Sequence, residues 1–118
     1  VRTAELRVDD RAIGPCLVAD TFLTRLRGML GRSPLPPALL LRPSGSVHGI
    51  GMRATLDVAT LDADGLVLAV DVLHPFGVTR PVRGARQVLE APEGSFARWG
   101  VVPGSRVGVA PAVDAPRS

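Results

Sequence analysis

The segment His48-Gly-Ile-Gly-Met-Arg-Ala54 sets an imidazole, a thioether and a guanidinium within a few residues of one another. Its Gly49-x-Gly51-x-x-Ala54 spacing is that of a dinucleotide-binding turn, and Asp71 follows about where that fingerprint wants an acid. In a dinucleotide site a helix opens directly after the glycines, so that its N-terminus meets the pyrophosphate. Here Thr55-Leu-Asp-Val-Ala-Thr60 follows, β-branched and apolar, and the segment before it is interrupted by Pro43 and Gly45. The glycines therefore do not announce a nucleotide site. If the stretch is extended, His48, Ile50 and Met52 share one face, while Gly49, Gly51 and Arg53 share the other. Alternate glycines leave a flat strip against which a strand, a helix or a ligand can lie. His48, titrating near neutrality, would face a ligand or move a proton there; its structural role would be a hydrogen-bonded histidine at a strand end.

Other constellations are weaker. Cys16, His48, Met52 and His74 are copper-ligand types, but Cys16 lies far along the chain from the others, so no metal site is expected. Asp62-Ala-Asp64-Gly65 lacks the further acids of a calcium loop and reads as a turn. Asp57 and Glu90 each interrupt an apolar run, and a buried carboxylate needs a partner. Arg25, Arg32 or Arg53 could supply a bidentate one. Arg80, Arg83 and Arg86 recur at three-residue intervals on a loop that could grip phosphate or an acidic partner, or simply be solvated. No Ser-His-Asp, Cys-His or paired-carboxylate arrangement stands out, so the reading leans away from an enzyme.

These groups need elements to hold them. Thr3–Val8 reads as a strand, Gly14-Pro15 as punctuation, and Cys16–Ala19 as a second strand. Asp20 to Pro34 predicts the principal helix: Asp20 or Thr21 can cap it, Phe22, Leu23, Leu26, Met29 and Leu30 form one apolar face, and Gly31 ends it. Ala38–Arg42 reads as a buried strand. Two further strands flank the Asp64-Gly65 turn as a hairpin, the second apolar on both faces except for Asp71. Gln87–Ala91 is another strand, 93–100 one helical turn with Ser95 as its cap, and a Pro103-Gly104 turn leads to a last strand. A single domain over 1–110 with a disordered tail at 111–118 is expected.

With 118 residues, the chain suits one modest core, filled by Val, Leu and Ala because only three Phe and one Trp are present. The net charge is +3, yet all fourteen basic residues are scattered arginines, and few aromatics are available to stack on bases; this argues against nucleic acid. One cysteine excludes an internal disulfide. Neither a signal-peptide core nor a spanning segment is seen, so a soluble cytoplasmic protein without a membrane segment or cofactor is expected.

Three blocks occur in order: Ala19 to Leu35 with "RLRGMLGR", Ser46 to Leu68 with "SVHGIGMRATLDVATLDADGLVL", and Ala85 to Gly94 with "VLEAPEG". Together with "GVVPGSRVGV" they resemble the uncharacterised DUF192 (UPF0127) family over nearly the whole chain. The resemblance implies an α+β fold: a compact single domain, a curved, mainly antiparallel sheet or small barrel with one principal helix packed on it. It carries no established reaction. Positions matching the family's motifs are Thr21, Arg25, Gly28, Arg32, His48, Gly51, Met52, Arg53, Asp57 and Glu90. The chain departs from the family in Gly104-Ser105, where Gly-Asp is usual, and in lacking an aromatic residue and Lys-Asn beside Met52-Arg53. The expected function is binding of a small anionic ligand or a protein partner through one polar strip: Arg25, Arg32, His48, Met52, Arg53, Asp57 and Glu90. The alternatives are an enzyme with His48 as general base and Asp57 orienting it, and an accessory protein contacting its partner through Arg80 to Arg86.

Overall fold

Short apolar and alternating runs make strands the main regular element of this chain. The computed structural model describes residues 2–21, 29, 32, 34–44 and 54–112. Among them are β1 (Arg2–Val8), β2 (Arg11–Ala19), β3 (Leu39–Leu41), β4 (Leu56–Leu61), β5 (Val67–Leu73), β6 (Gln87–Pro92), α1 (Ser95–Trp99) and β7 (Val107–Pro111). The strands form one sheet in the order β5-β4-β6-β3-β2-β1-β7. Every pair is antiparallel except β2 with β3. The sheet is curved and does not close. Its far edges approach each other through an isolated Leu66–Arg106 bridge, with Val107 N–H donating to the Gly65 carbonyl at 2.8 Å. Gly65 is required there: its φ is +89°, and a Cβ would collide with the Val107 carbonyl.

The curvature divides the apolar residues between two faces. The inner face gathers Leu6, Val8, Cys16, Leu40, Leu61, Leu89 and Phe96. The outer face carries Ala19, Leu39, Leu41, Leu56, Val58, Leu73 and Val88, together with Met29. In β4, neighbouring residues therefore serve opposite faces, Val58 outward and Ala59 inward. The Asp62 carboxylate Oδ1 accepts from the backbone N–H of Asp64 and Leu66, both at 2.9 Å, so that acid builds the hairpin turn.

Several expectations change. Gly14 and Pro15 lie inside β2 rather than before it; Pro15 pairs with Glu5 where β2 does not yet meet β3, so its missing N–H costs β3 nothing. The last strand takes in Pro111, which pairs with Ala4. Residues 113–118 lie outside the described residues, as does most of the helix expected from Asp20 to Pro34. Ser95 does not cap α1: the residue at its N-cap is Gly94, and the Ser95 hydroxyl donates to the Pro92 carbonyl at 2.6 Å.

Burial has a direct chemical consequence at Cys16. Removal from water pushes its thiol up to about 12. The folded protein should react with a thiol reagent such as dithionitrobenzoate only after denaturant is added. Rapid labelling of native protein would show that this face opens.

Candidate functional site

Asp57 and Glu90 sit on adjacent strands, and register separates them. Asp57 pairs with Ala91 and Val58 with Glu90, so the two carboxylates project from opposite faces of the sheet. The Asp57 side chain points inward, where its Oδ2 accepts the Phe96 backbone N–H at 3.0 Å. Asp57 thus supplies from β4 the acceptor that the Gly94 N-cap lacks, satisfying an orphan donor at the start of α1. Among the described residues this backbone group is the partner of Asp57; Arg25 and Arg53, expected as partners, lie outside them.

Glu90 lies on the outer face and is 3% exposed. Its carboxyl makes no hydrogen bond among the described residues; burial pushes it up to about 7, and the positive charge of Arg32 pulls it back down. The charge of Arg32 is thus felt at Glu90, while Asp57 faces the other way. Arg25, His48, Met52 and Arg53 lie outside the described residues, and so does the Gly49-x-Gly51 strip.

The outer face holds two polar groups that the strip did not include. Asp71 pairs with Val58 from the other side, so Asp71 and Glu90 flank Val58 on one face, roughly 10 Å apart at two strand spacings. Asp71 Oδ1 accepts from Arg80 at 3.3 Å, while its Oδ2 is buried without a partner. Thr60, two residues along β4 and 1% exposed, also has an unpartnered hydroxyl. The sequence signal for Asp71 was its being the one acid in an otherwise apolar strand. Thr60 gave no signal, because threonine is ordinary in a strand.

Arg80 arrives on the connection from β5 to β6. Both strands run antiparallel to β4, so they are parallel to each other and need a crossover of a dozen or more residues. Residues 74–86 form it with Thr79 buried, and they contain no helix or strand run. Long structureless connections are usually functional.

A second place suits a ligand better. At one end of the sheet, where β2 and β3 finish and β6 begins, a shallow cleft of about 410 Å³ is lined by Asp20, Arg42, Pro43, Ala63, Arg86 and Gln87. Pairing builds it: Arg42 N–H donates to Ala19 O at 3.0 Å, and Ser44 N–H donates to Arg86 O at 2.8 Å. The Arg42 guanidinium makes no hydrogen bond or ion pair among the described residues, although its charge reaches Cys16. That of Arg86 donates, among the described residues, to the neighbouring Ala85 carbonyl at 3.0 Å. Asp20, the cleft's carboxylate, is 3.5 Å from Arg2. Gln87 turns away, donating to Asp62 O at 2.9 Å. None of Arg32, Asp57 and Glu90 lines this cleft. Arg42 was not singled out from the sequence, because nothing in "LLLRP" marks it as lacking a partner.

The family model DUF192, described as "Uncharacterized ACR, COG1430", matches residues 5–109. The chain belongs to the DUF192 family. A UPF0127 protein of Pyrococcus furiosus is 31% identical over 108 residues, covering 87% of this DUF192 chain and 88% of its own length. Two solved structures share the fold. One, from Sinorhizobium meliloti and described as a candidate transcription regulator, is 20% identical with a TM-score of 0.78, over 92% of this chain and 94% of that one. The other, a protein of unknown function from Novosphingobium aromaticivorans, is 22% identical with a TM-score of 0.74, over 90% and 84%. At these identities the likeness concerns the fold of the DUF192 domain alone. No helix among its described residues is long and apolar enough to cross a membrane.

Proposed function

We propose that this DUF192 domain is a non-enzymatic binding module that takes a small anionic ligand in the cleft at the ends of β2 and β3. One observation carries the reading: Arg42 and Arg86 line one cleft without a carboxylate partner of their own among the described residues, while Asp20 there is engaged by Arg2. Arginine presents a planar fork of donors that matches carboxylate and phosphate, and unengaged forks in a concavity favour such an anion. The volume is at the small end of ligand pockets, which suits a metabolite-sized acid rather than a polymer.

The experiment is calorimetric titration of the protein with citrate and with inorganic phosphate. Wild type should bind at least one of them, and Arg42→Gln should weaken binding about tenfold or more, the scale of a charged hydrogen bond. Its circular dichroism should be unchanged, since the Arg42 guanidinium makes no hydrogen bond among the described residues and its backbone N–H is kept. Equal affinity in wild type and Arg42→Gln would contradict the assignment.

A second reading, an enzyme, draws support from Glu90, a buried carboxyl with a pKa of about 7 and therefore suited to general acid–base work at neutral pH. For the version built on His48 with Asp57 orienting it, Asp57 Oδ2 already accepts the Phe96 N–H on the inner face, and His48 lies outside the described residues.

A further inference from the structure

The crossover 74–86 combines two features that neither the fold nor the cleft requires. Phe76 is 75% exposed and Val78 is 71% exposed, so two large apolar side chains close in sequence are held in water. Phe76 is also held in a left-handed conformation, φ +64°, within the turn closed by Gly77 N–H donating to His74 O at 2.9 Å. A β-turn wants glycine or asparagine at a positive-φ position. An aromatic there is strained and gains no burial in return, and strain of this kind gathers at functional positions. The same crossover holds Arg80 and Arg83, both exposed, and contains no acidic residue, although Arg80 also reaches Asp71 of β5 at 3.3 Å. Thr79 is buried in the same stretch, so the connection is anchored beneath its exposed side chains.

We propose that the crossover 74–86 is a peripheral docking surface for an anionic lipid bilayer, with Phe76 and Val78 entering the headgroup–acyl boundary and Arg80 and Arg83 facing the lipid phosphates and carboxylates. An acidic protein would match the arginines, but two exposed apolar side chains on this crossover fall far short of the buried core that a stable protein interface needs. A lipid interface matches both, because aromatic rings partition into it and arginine stems lie along it with their charged ends at the headgroups. With so few apolar groups the attachment is weak and reversible. Phe76, Val78, Arg80 and Arg83 do not line the anion cleft, which the crossover reaches at its end through Arg86.

The test is cosedimentation of the full chain with vesicles of phosphatidylserine mixed with phosphatidylcholine, and with vesicles of phosphatidylcholine alone. Binding is expected on the anionic vesicles, weakening as salt is raised. Phe76→Gly should lose about tenfold in partition, the lower end for withdrawing one buried aromatic. Its thermal midpoint should hold or rise, because glycine relieves the positive φ, so loss of binding there is not loss of fold. Arg83→Gln should lose about fivefold, one basic residue at an anionic surface. Equal binding to both vesicle types, no binding to either, or unchanged partition of Phe76→Gly overturns the proposal. Binding to polyglutamate but to neither vesicle also overturns it and makes the crossover a contact for an acidic protein.

Discussion

Replacing Glu90 with glutamine should make the protein more stable above neutrality and leave it unchanged in acid. In the fold Glu90 titrates near 7 against an ordinary value of 4.5, because burial on the outer face disfavours its charge. Between those values the folded protein holds a proton that the unfolded chain has released. The favourable contribution is therefore complete below the unfolded value and is lost as pH rises through about 7. The loss amounts to about 3 kcal/mol for a shift of this size, a large part of what holds a small domain together. Glutamine keeps the shape and cannot ionise. Urea denaturation at about pH 4 and about pH 8 should show a steep fall for wild type and a shallower one for Glu90→Gln. Parallel falls in the two proteins would mean that Glu90 ionises freely in the fold.

Asp57→Ala should cost about 2–3 kcal/mol, from the lost charge-assisted bond and the buried Phe96 N–H left without a partner. Asp57→Asn, which keeps an acceptor oxygen, should cost clearly less. Neither change should alter anion binding, because Asp57 faces the inner cluster and does not line the Arg42–Arg86 cleft. The pair thus distinguishes a positioning role from a ligand role. Loss of citrate or phosphate binding in a folded Asp57→Asn protein would return Asp57 to the site, against the geometry described above.

The strands, the hairpin and the single turn of α1 were legible because they depend on local pattern: period-two alternation around Asp64-Gly65, and Gly94 and Gly100 bracketing Ser95–Trp99. Family membership was legible from the order of motif blocks. The site was less so, for reasons of register. "LDVATL" and "QVLEAP" each show one acid among apolar residues, and nothing local states whether Asp57 sits opposite Glu90 or beside it. Pairing one position apart sends the two to opposite faces, since each step along a strand reverses the side chain. Phe96 as the Asp57 partner was equally hidden: the acceptor comes from β4 and the donor from the opening of α1, and short-range capping rules look for it at Ser95. The cleft depends on which strand ends are neighbours. Arg42 and Arg86 meet because β3 pairs with β6, a long-range contact that no spacing in the chain encodes.

The functional account is tested most directly by amide chemical-shift mapping of the isotopically labelled protein during titration with citrate. The account predicts saturable shifts clustered at Arg42, Ala63, Arg86 and Gln87, absent from Arg42→Gln. Shifts confined to Asp57 and Phe96, or no saturable shift at the cleft, would contradict it.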